Sequence, residues 1–402
     1  MEDKLEVADI FRLHKDAFLK KYGASLNFSQ KKTIESIIHC RTSKLGGHVD
    51  ECDACGKQKI SYNSCRNRHC PKCQSLSALK WITDRTDQLL SINHFHVAFT
   101  VPEELNPIIY RNKRIAYDIL FQAASQALKQ EAEKFKYLKA KMGFIGILHS
   151  WGQKLPFHPH IHFLVTSGGL SLDNNNKWIY PKYKKYLMPV KVLSKRFKEI
   201  FVNLLEKKHS LCDIKTTHTD KEFKSLIEKM KRRKWVVYSK PTINTPEKVL
   251  EYFGNYTHRV AISNQRIIRL ENGMVYFKWR DYSDNNKKKI TSLDAVEFIR
   301  RFLLHILPDG YVKIRYYGLY ANRNREAVLK HCRSILGLQA KPQSDTHKKS
   351  WKEILLDLRG IDITLCTFCK KGTMIRKEQL EPIHNNSPPS YILKSFSTRL
   401  AS

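Results

Sequence analysis

The sequence predicts an α+β chain, an antiparallel sheet flanked by helices and preceded by a helical segment rich in cysteine. Three observations carry this. Apolar residues alternate over 94–102, 144–150 and 160–167, as in half-buried strands. Between the first two, residues 115–138 repeat apolar side chains at helical spacing. From His48 to Cys73 apolar periodicity disappears and cysteines replace it, so metal rather than a hydrophobic core must hold that stretch.

The elements follow in chain order. Ile10, Leu13 and Phe18, then Ile34, Ile37 and Ile38, are spaced as on helices, with Ser29 as a cap before Lys31. Ser75 to Leu90 is again helical. HFHVAFTVP (94–102), the helix 115–138, FIGILHS (144–150) and HIHFLVTS (160–167) read β-α-β-β. Helices near 190–208 and 221–231 form an insertion. WVVYSK (235–240), a helix from Pro246 to Arg259 and VAIS as last strand then complete a β-α-β-β-α-β order. Residues 266–281 predict a hairpin turning at Asn272-Gly273. A helix (Leu293 to Leu307), a strand (Tyr311 to Tyr317) and helical segments to about residue 359 lead to a last cysteine pair. The expected division is a helical, zinc-binding region (1–92), a catalytic region (93–290) and a mostly helical C-terminal region (291–402).

Composition narrows the partners. With 402 residues, 42% of them apolar, the chain is a folded protein. Its 72 Lys+Arg against 38 Asp+Glu give a net charge of +34, which calls for a polyanion, held by counterion release without sequence reading. No run of about 18 apolar residues occurs, and the first residues lack a basic start followed by an apolar core. The expectation is a chain that neither spans a membrane nor is secreted. Ten cysteines, mostly in C-x-x-C pairs beside histidines, fit metal binding in a reducing compartment. A cytoplasmic location is expected, at the nucleoid when DNA is bound.

Three constellations carry chemistry. In Phe157-His158-Pro159-His160-Ile161-His162, strand geometry puts His160 and His162 on one face, where two imidazoles can share a metal ion and leave positions open to substrate. The plainer reading is a half-buried strand with hydrogen-bonded histidines. Cys52-x2-Cys55 and Cys70-x2-Cys73, 14 residues apart, predict one tetrahedral structural zinc that presents Arg66 and Arg68 on a fixed loop. His39, His48, Cys65 and His69 could supply a second zinc. Cys366-x2-Cys369 resembles half of another knuckle, to be completed by Cys332, His331 or His384, or is a pair of free thiols. Tyr252 and Tyr256 share a helix face, as core-packing aromatics or as phenolate nucleophiles toward a phosphodiester.

HPHIHFLV, YFGNYTHRVAIS and the CDACG…SCRNRHCPKCQ segment together resemble the two-tyrosine rolling-circle transposases of IS91-type insertion sequences, members of the HUH nuclease superfamily. The resemblance runs from about residue 30 to about residue 335. It implies an HUH-nuclease-like sheet with His160 and His162 on a central strand, holding Mg²⁺ or Mn²⁺ against the scissile phosphate. Tyr252 or Tyr256 would attack single-stranded DNA at transposon ends and in the target, leaving a 5′-phosphotyrosine and a free 3′-OH. A third metal ligand is needed; Gln153 is the first candidate, with His149 and His158 behind it. Arg259, Arg232 and Arg233 are assigned to DNA phosphates, beside the reading of a solvated basic face.

A non-catalytic zinc-dependent DNA-binding protein explains the charge and cysteines but not the histidines or tyrosines. A replication initiator or relaxase would share the chemistry, though no G-x-x-x-x-G-K-[ST] phosphate loop is present. A zinc hydrolase would want a glutamate near the histidines, and none lies between Gln153 and Asp173.

Overall fold

The computed structural model describes residues 4–383, except 87, 135–136, 174–175, 184–186, 243–259 and 339–349. Two helices, α1 (Val7–Tyr22) and α2 (Phe28–Ile38), open the chain. The cap of α2 is Asn27, whose side chain accepts from Gln30 N, and not Ser29, whose hydroxyl reaches Asp309. Strands β1 (Gly47–Cys52) and β2 (Gln58–Tyr62) and helix α3 (Pro71–Thr86) form the cysteine-bearing segment.

The central sheet comes next. Strand β3 (His94–Thr100) leads through the short α4 (Asn106–Arg111) into α5 (Lys113–Glu133). A short strand β4 (Ala140–Lys141) precedes the two long strands β5 (Gly143–Trp151) and β6 (Phe157–Thr166). After β7 (Gly169–Ser171), which pairs with β4, and β8 (Trp178–Ile179), which pairs with β7, helices α6 (Val190–Ser210) and α7 (Asp220–Arg232) lead to β9 (Val236–Pro241).

Strands β10 (Ile267–Glu271), β11 (Met274–Asp281) and β12 (Lys287–Asp294) form a separate meander. Asn272 and Gly273 both carry positive φ (50° and 72°), so the predicted turn is of the type that matches strand twist. Helix α8 (Ala295–Leu304) follows, then β13 (Ile314–Gly318), α9 (Arg325–Ile335), α10 (Trp351–Arg359) and β14 (Met374–Leu380).

The five-stranded order is β13-β5-β6-β3-β9, and every pairing is antiparallel. VAIS (260–263) is not the last strand, because Ala261 and Ile262 are buried against α8 and the meander; the edge beside β5 belongs to β13. The predicted helix 246–259 lies outside the described residues.

Register assigns the two faces, since directly paired residues point the same way. Phe95, Val97, Phe99, Phe144, Ile161, Phe163 and Val165 face α5 and α6 and form the largest core with Tyr117, Phe121, Phe197 and Phe201. Gly146 lies opposite Phe163, whose ring occupies the space a Cβ would need (2.6 Å). The other face carries His96, His149, His160 and His162.

A second core joins α1 and α2 to α8 and the meander, with Phe11 edge-on to Phe302 at 5.3 Å. Packing therefore does not divide at residues 92 and 290. Helices α1 and α2 and the Cys65–Cys73 segment bury their apolar faces against 261–306, and β13 returns from beyond 290 to the central sheet. The reason is that two short helices and a hairpin cannot close a core alone.

At the end of β13, Gly318 has φ +60°, and a Cβ there would stand 1.8 Å from Met142 O. Gly318→Ala should cost about 2–4 kcal/mol through strain and overlap. The check is urea unfolding; an unchanged midpoint would contradict this account of the edge.

Candidate active site and metal centres

Strand pairing builds the histidine site. His149 on β5 lies directly opposite His160 on β6, and His162 stands two residues on along the same face. The three rings offer nitrogens that all lie within 4.8 Å of one another. His160 Nδ1 donates to the carbonyl of His158 at 2.7 Å, so Nε2 is the nitrogen His160 would offer a metal. His162 Nδ1 is 2.7 Å from His96 Nε2, which likewise directs its Nε2 to the cluster. Such outer contacts fix tautomer and ring orientation. Burial pushes His96 down to about 4, helped by Lys240, so His96 is neutral and can accept from His162. Trp151 stacks on His149 at 4.6 Å and closes its flank.

Gln153 is not part of this group. It sits in the tight loop Gly152–Pro156, where its Nε2 donates to Tyr282 OH (2.8 Å) and its Oε1 accepts from Arg280 N (3.4 Å). The loop leaves the pleat after Trp151, which turns Gln153 toward the meander, whereas His149 is still in register. His158 contributes its carbonyl, and its ring, whose pKa burial lowers, lies 5.2 Å from that of His160.

The cysteines also group differently from expectation. Cys52, Cys55, Cys70 and Cys73 do not form one site. Cys70 and Cys73 converge with Cys40 and Cys65, with Sγ–Sγ distances of 3.6 Å from Cys73 to Cys40 and to Cys65. Cys52 and Cys55 converge instead with Cys366 and Cys369, at 3.7 Å (Cys52–Cys369) and 3.8 Å (Cys55–Cys366). Four sulfurs at 2.3 Å from one tetrahedral zinc lie about 3.8 Å apart, so both sets fit that ion. The physical cause is strand pairing: β14 pairs with β1 and brings the last cysteine pair beside the first. Cys332 is buried in a third core, with Leu329 and Tyr320.

Residues 10–101 match the IS91-type "transposase zinc-binding domain", and residues 143–327 match a family described as "putative transposase". A Sinorhizobium fredii protein described as "Putative transposase y4qJ" is 41% identical over 391 residues, 96% of this chain and 97% of its own. The chain belongs to the IS91-type transposases. The transposase for insertion sequence element IS801 of Pseudomonas savastanoi pv. phaseolicola is 27% identical over 307 residues, covering 73% of this transposase and 70% of its own chain. No solved structure matches.

A transposase acts on DNA, and the basic residues can be placed accordingly. Arg66 is exposed, in a left-handed conformation (φ 53°) on the loop of the first cysteine cluster. Arg68 turns inward, and its Nη1 donates to Tyr311 O at 2.8 Å, which anchors the approach to β13 instead of offering charge outward. Arg232 is exposed, while Arg233 is ion-paired with Glu104 and Lys231 with Glu206 and Glu228. Tyr252, Tyr256 and Arg259 lie outside the described residues. No described helix is long and apolar enough to cross a membrane.

Several residues escaped sequence reasoning. Cys40 stands alone at the end of α2, with no partner at knuckle spacing. His96 did leave a signal, since His94-Phe95-His96 repeats the His-x-His spacing of β6. Only the pairing of β3 with β6 shows that His96, not His94, meets the cluster: His94 is buried between Ile92 O and Tyr320 OH, each 2.8 Å away.

Proposed function

We propose that this transposase cuts and rejoins single-stranded DNA at insertion-sequence ends by HUH-type chemistry, through a 5′-phosphotyrosine intermediate in a rolling-circle pathway. The observation that carries the reading is the set of three imidazoles, His149, His160 and His162, converging from neighbouring strands on one sheet face. These residues would hold Mg²⁺ or Mn²⁺. The ion would supply Lewis-acid polarisation of the scissile phosphate and so offset charge in the transition state.

The chain's own groups do the rest. The phenol of Tyr252 or Tyr256 loses its proton to solvent, and its oxygen forms a bond to phosphorus as the P–O3′ bond breaks. The leaving 3′-oxygen takes up a proton and becomes a 3′-OH. One phosphodiester replaces another, so attack by a 3′-OH on the phosphotyrosine reverses the step and joins strands without an energy source. Two tyrosines allow a donor end and a target end to be held at once. His96, through its contact with His162 Nδ1, would keep the Nε2 of His162 directed into the histidine cluster.

Strand binding is supported by the outward face of the meander, where Lys278, Arg280 and Lys288 line up through register beside the loop that joins the histidine strands, next to Arg269, which is ion-paired with Glu271. Such a face favours phosphates, with affinity that falls as salt rises.

The site predicts its own metal preference. An all-imidazole set holds Mn²⁺ better than the strongly hydrated Mg²⁺. His149→Ala should weaken Mn²⁺ binding by more than the about 10–100-fold that loss of an outer partner costs, while Gln153→Ala leaves it unchanged. Titration calorimetry decides; the reverse ranking would return Gln153 to the site. The function itself is tested by incubating the protein with a labelled oligonucleotide from an element end and Mn²⁺, then mapping any covalent adduct. An adduct on Tyr252 or Tyr256 supports the reading. Binding without an adduct favours the non-catalytic DNA-binding protein.

A further inference from the structure

The match to the zinc-binding family ends at residue 101, and the transposase match at 327. Cys366 and Cys369 lie beyond both, yet their sulfurs close a tetrahedral set with Cys52 and Cys55. We infer that Cys52, Cys55, Cys366 and Cys369 bind a second zinc ion, and that this ion clasps the C-terminal segment 350–380 onto the N-terminal zinc-binding region.

The two half-sites are built alike. The first is the turn between β1 and β2, closed by Gly56 N to Cys52 O (3.0 Å) and Cys52 N to Lys57 O (3.1 Å). The second is a tight turn in which Cys366 N donates to Gly372 O (2.8 Å) and the amides of Phe368 and Gly372 point at Cys366 Sγ and Cys369 Sγ, each at 3.4 Å. Amides aimed at sulfur stabilise thiolates, the form zinc binds.

The halves also hold each other. Asp53 N donates to Thr373 O (3.1 Å), and Thr373 N donates to Asp53 Oδ1 (2.7 Å). At Gly372 the two turns touch: a Cβ there would come within 2.5 Å of Cys52 Sγ and of Asp53 Oδ1. This close approach admits glycine only. Sequence separation makes the contact informative, because ligands more than 300 residues apart are gathered only where the fold demands it.

The clasp differs from the first cluster in its surroundings. Cys40, Cys70 and Cys73 are buried in the core beside α1 and α2, with Cys65 half-buried; in the clasp Cys52 and Cys366 are buried outside that core, Cys55 is exposed and Cys369 half-exposed. What the clasp secures is equally local. β14 supplies the third strand of the sheet β14-β1-β2, and α10 packs on α3. Without β14, β1 and β2 are a two-stranded ribbon, which has marginal stability. The first ion therefore belongs to the core and the second to a surface latch that a chelator reaches first.

The test uses the full chain purified under reducing conditions, with zinc by atomic emission and backbone protection by hydrogen exchange. Wild type should carry two zinc ions. Cys366→Ser with Cys369→Ser should carry one, with faster exchange confined to 47–62 and 350–380 and unchanged exchange in α1, α2 and α8. Gly372→Val, which keeps all the ligands, should lose the same ion. A chelator should remove one equivalent before the other. One zinc in wild type, iron in place of zinc, a disulfide revealed by thiol counting, or loss of both ions in the serine variant would each overturn the inference. None of these readouts depends on DNA cleavage, so they stand or fall apart from the nuclease reading.

Discussion

Tyr252→Phe combined with Tyr256→Phe is expected to abolish covalent capture of single-stranded DNA while leaving DNA binding and both zinc equivalents intact. Phenylalanine keeps the ring and removes only the oxygen that would bond to phosphorus. Each single variant should retain capture and resealing of one strand but lose transfer between strands, because a donor and a target end can no longer be held together. His160→Ala is expected to lower the cleavage rate on the order of 10³-fold, the several kcal/mol that a metal contributes to a charged transition state. Its effect should exceed that of His96→Ala, which would loosen His162 without removing a ligand. Initial rates with an end oligonucleotide, read on denaturing gels, give all of these values. Adducts persisting in the double phenylalanine variant would show that another group is the nucleophile.

Cys70→Ser should produce the largest loss of stability. Cys70 is buried, and its thiol lies in the core that joins α1 and α2 to α8 and the meander. A structural zinc contributes about 10–16 kcal/mol in small zinc domains, and a site that loses one of its four thiolates forfeits much of that. Because this core is shared, unfolding should spread past residue 92 into 261–306 and depress the melting temperature of the whole chain. Cys332→Ser, in a core with no metal cluster among the described residues, removes only modest packing and serves as the comparison. Thermal unfolding followed by circular dichroism, with zinc content in parallel, distinguishes the two. Equal effects would mean that the first cluster holds no metal.

The sequence by itself determined much of what short-range pattern sets, though not the cap of α2 or the state of residues 260–263. Period-two alternation located β3, β5 and β6; helical spacing located α5, α6 and α7; Asn272-Gly273 fixed the hairpin. The His-x-His spacing placed two imidazoles on one face, and the C-x-x-C pairs announced metal. The three motifs in order resembled the family to which the chain belongs. Tertiary structure alone decided which groups meet. His149 rather than Gln153 joins His160 and His162 because register across β5 and β6 sets the third side chain, and register depends on where the Gly152–Pro156 loop leaves the pleat. The cysteine pairs divide between two clusters because β14 lies against β1, and Cys40 ends α2 beside Cys73. A pattern of adjacent residues encodes spacing and facing. Partners separated by hundreds of residues are chosen by strand pairing and shared burial, which no local pattern records.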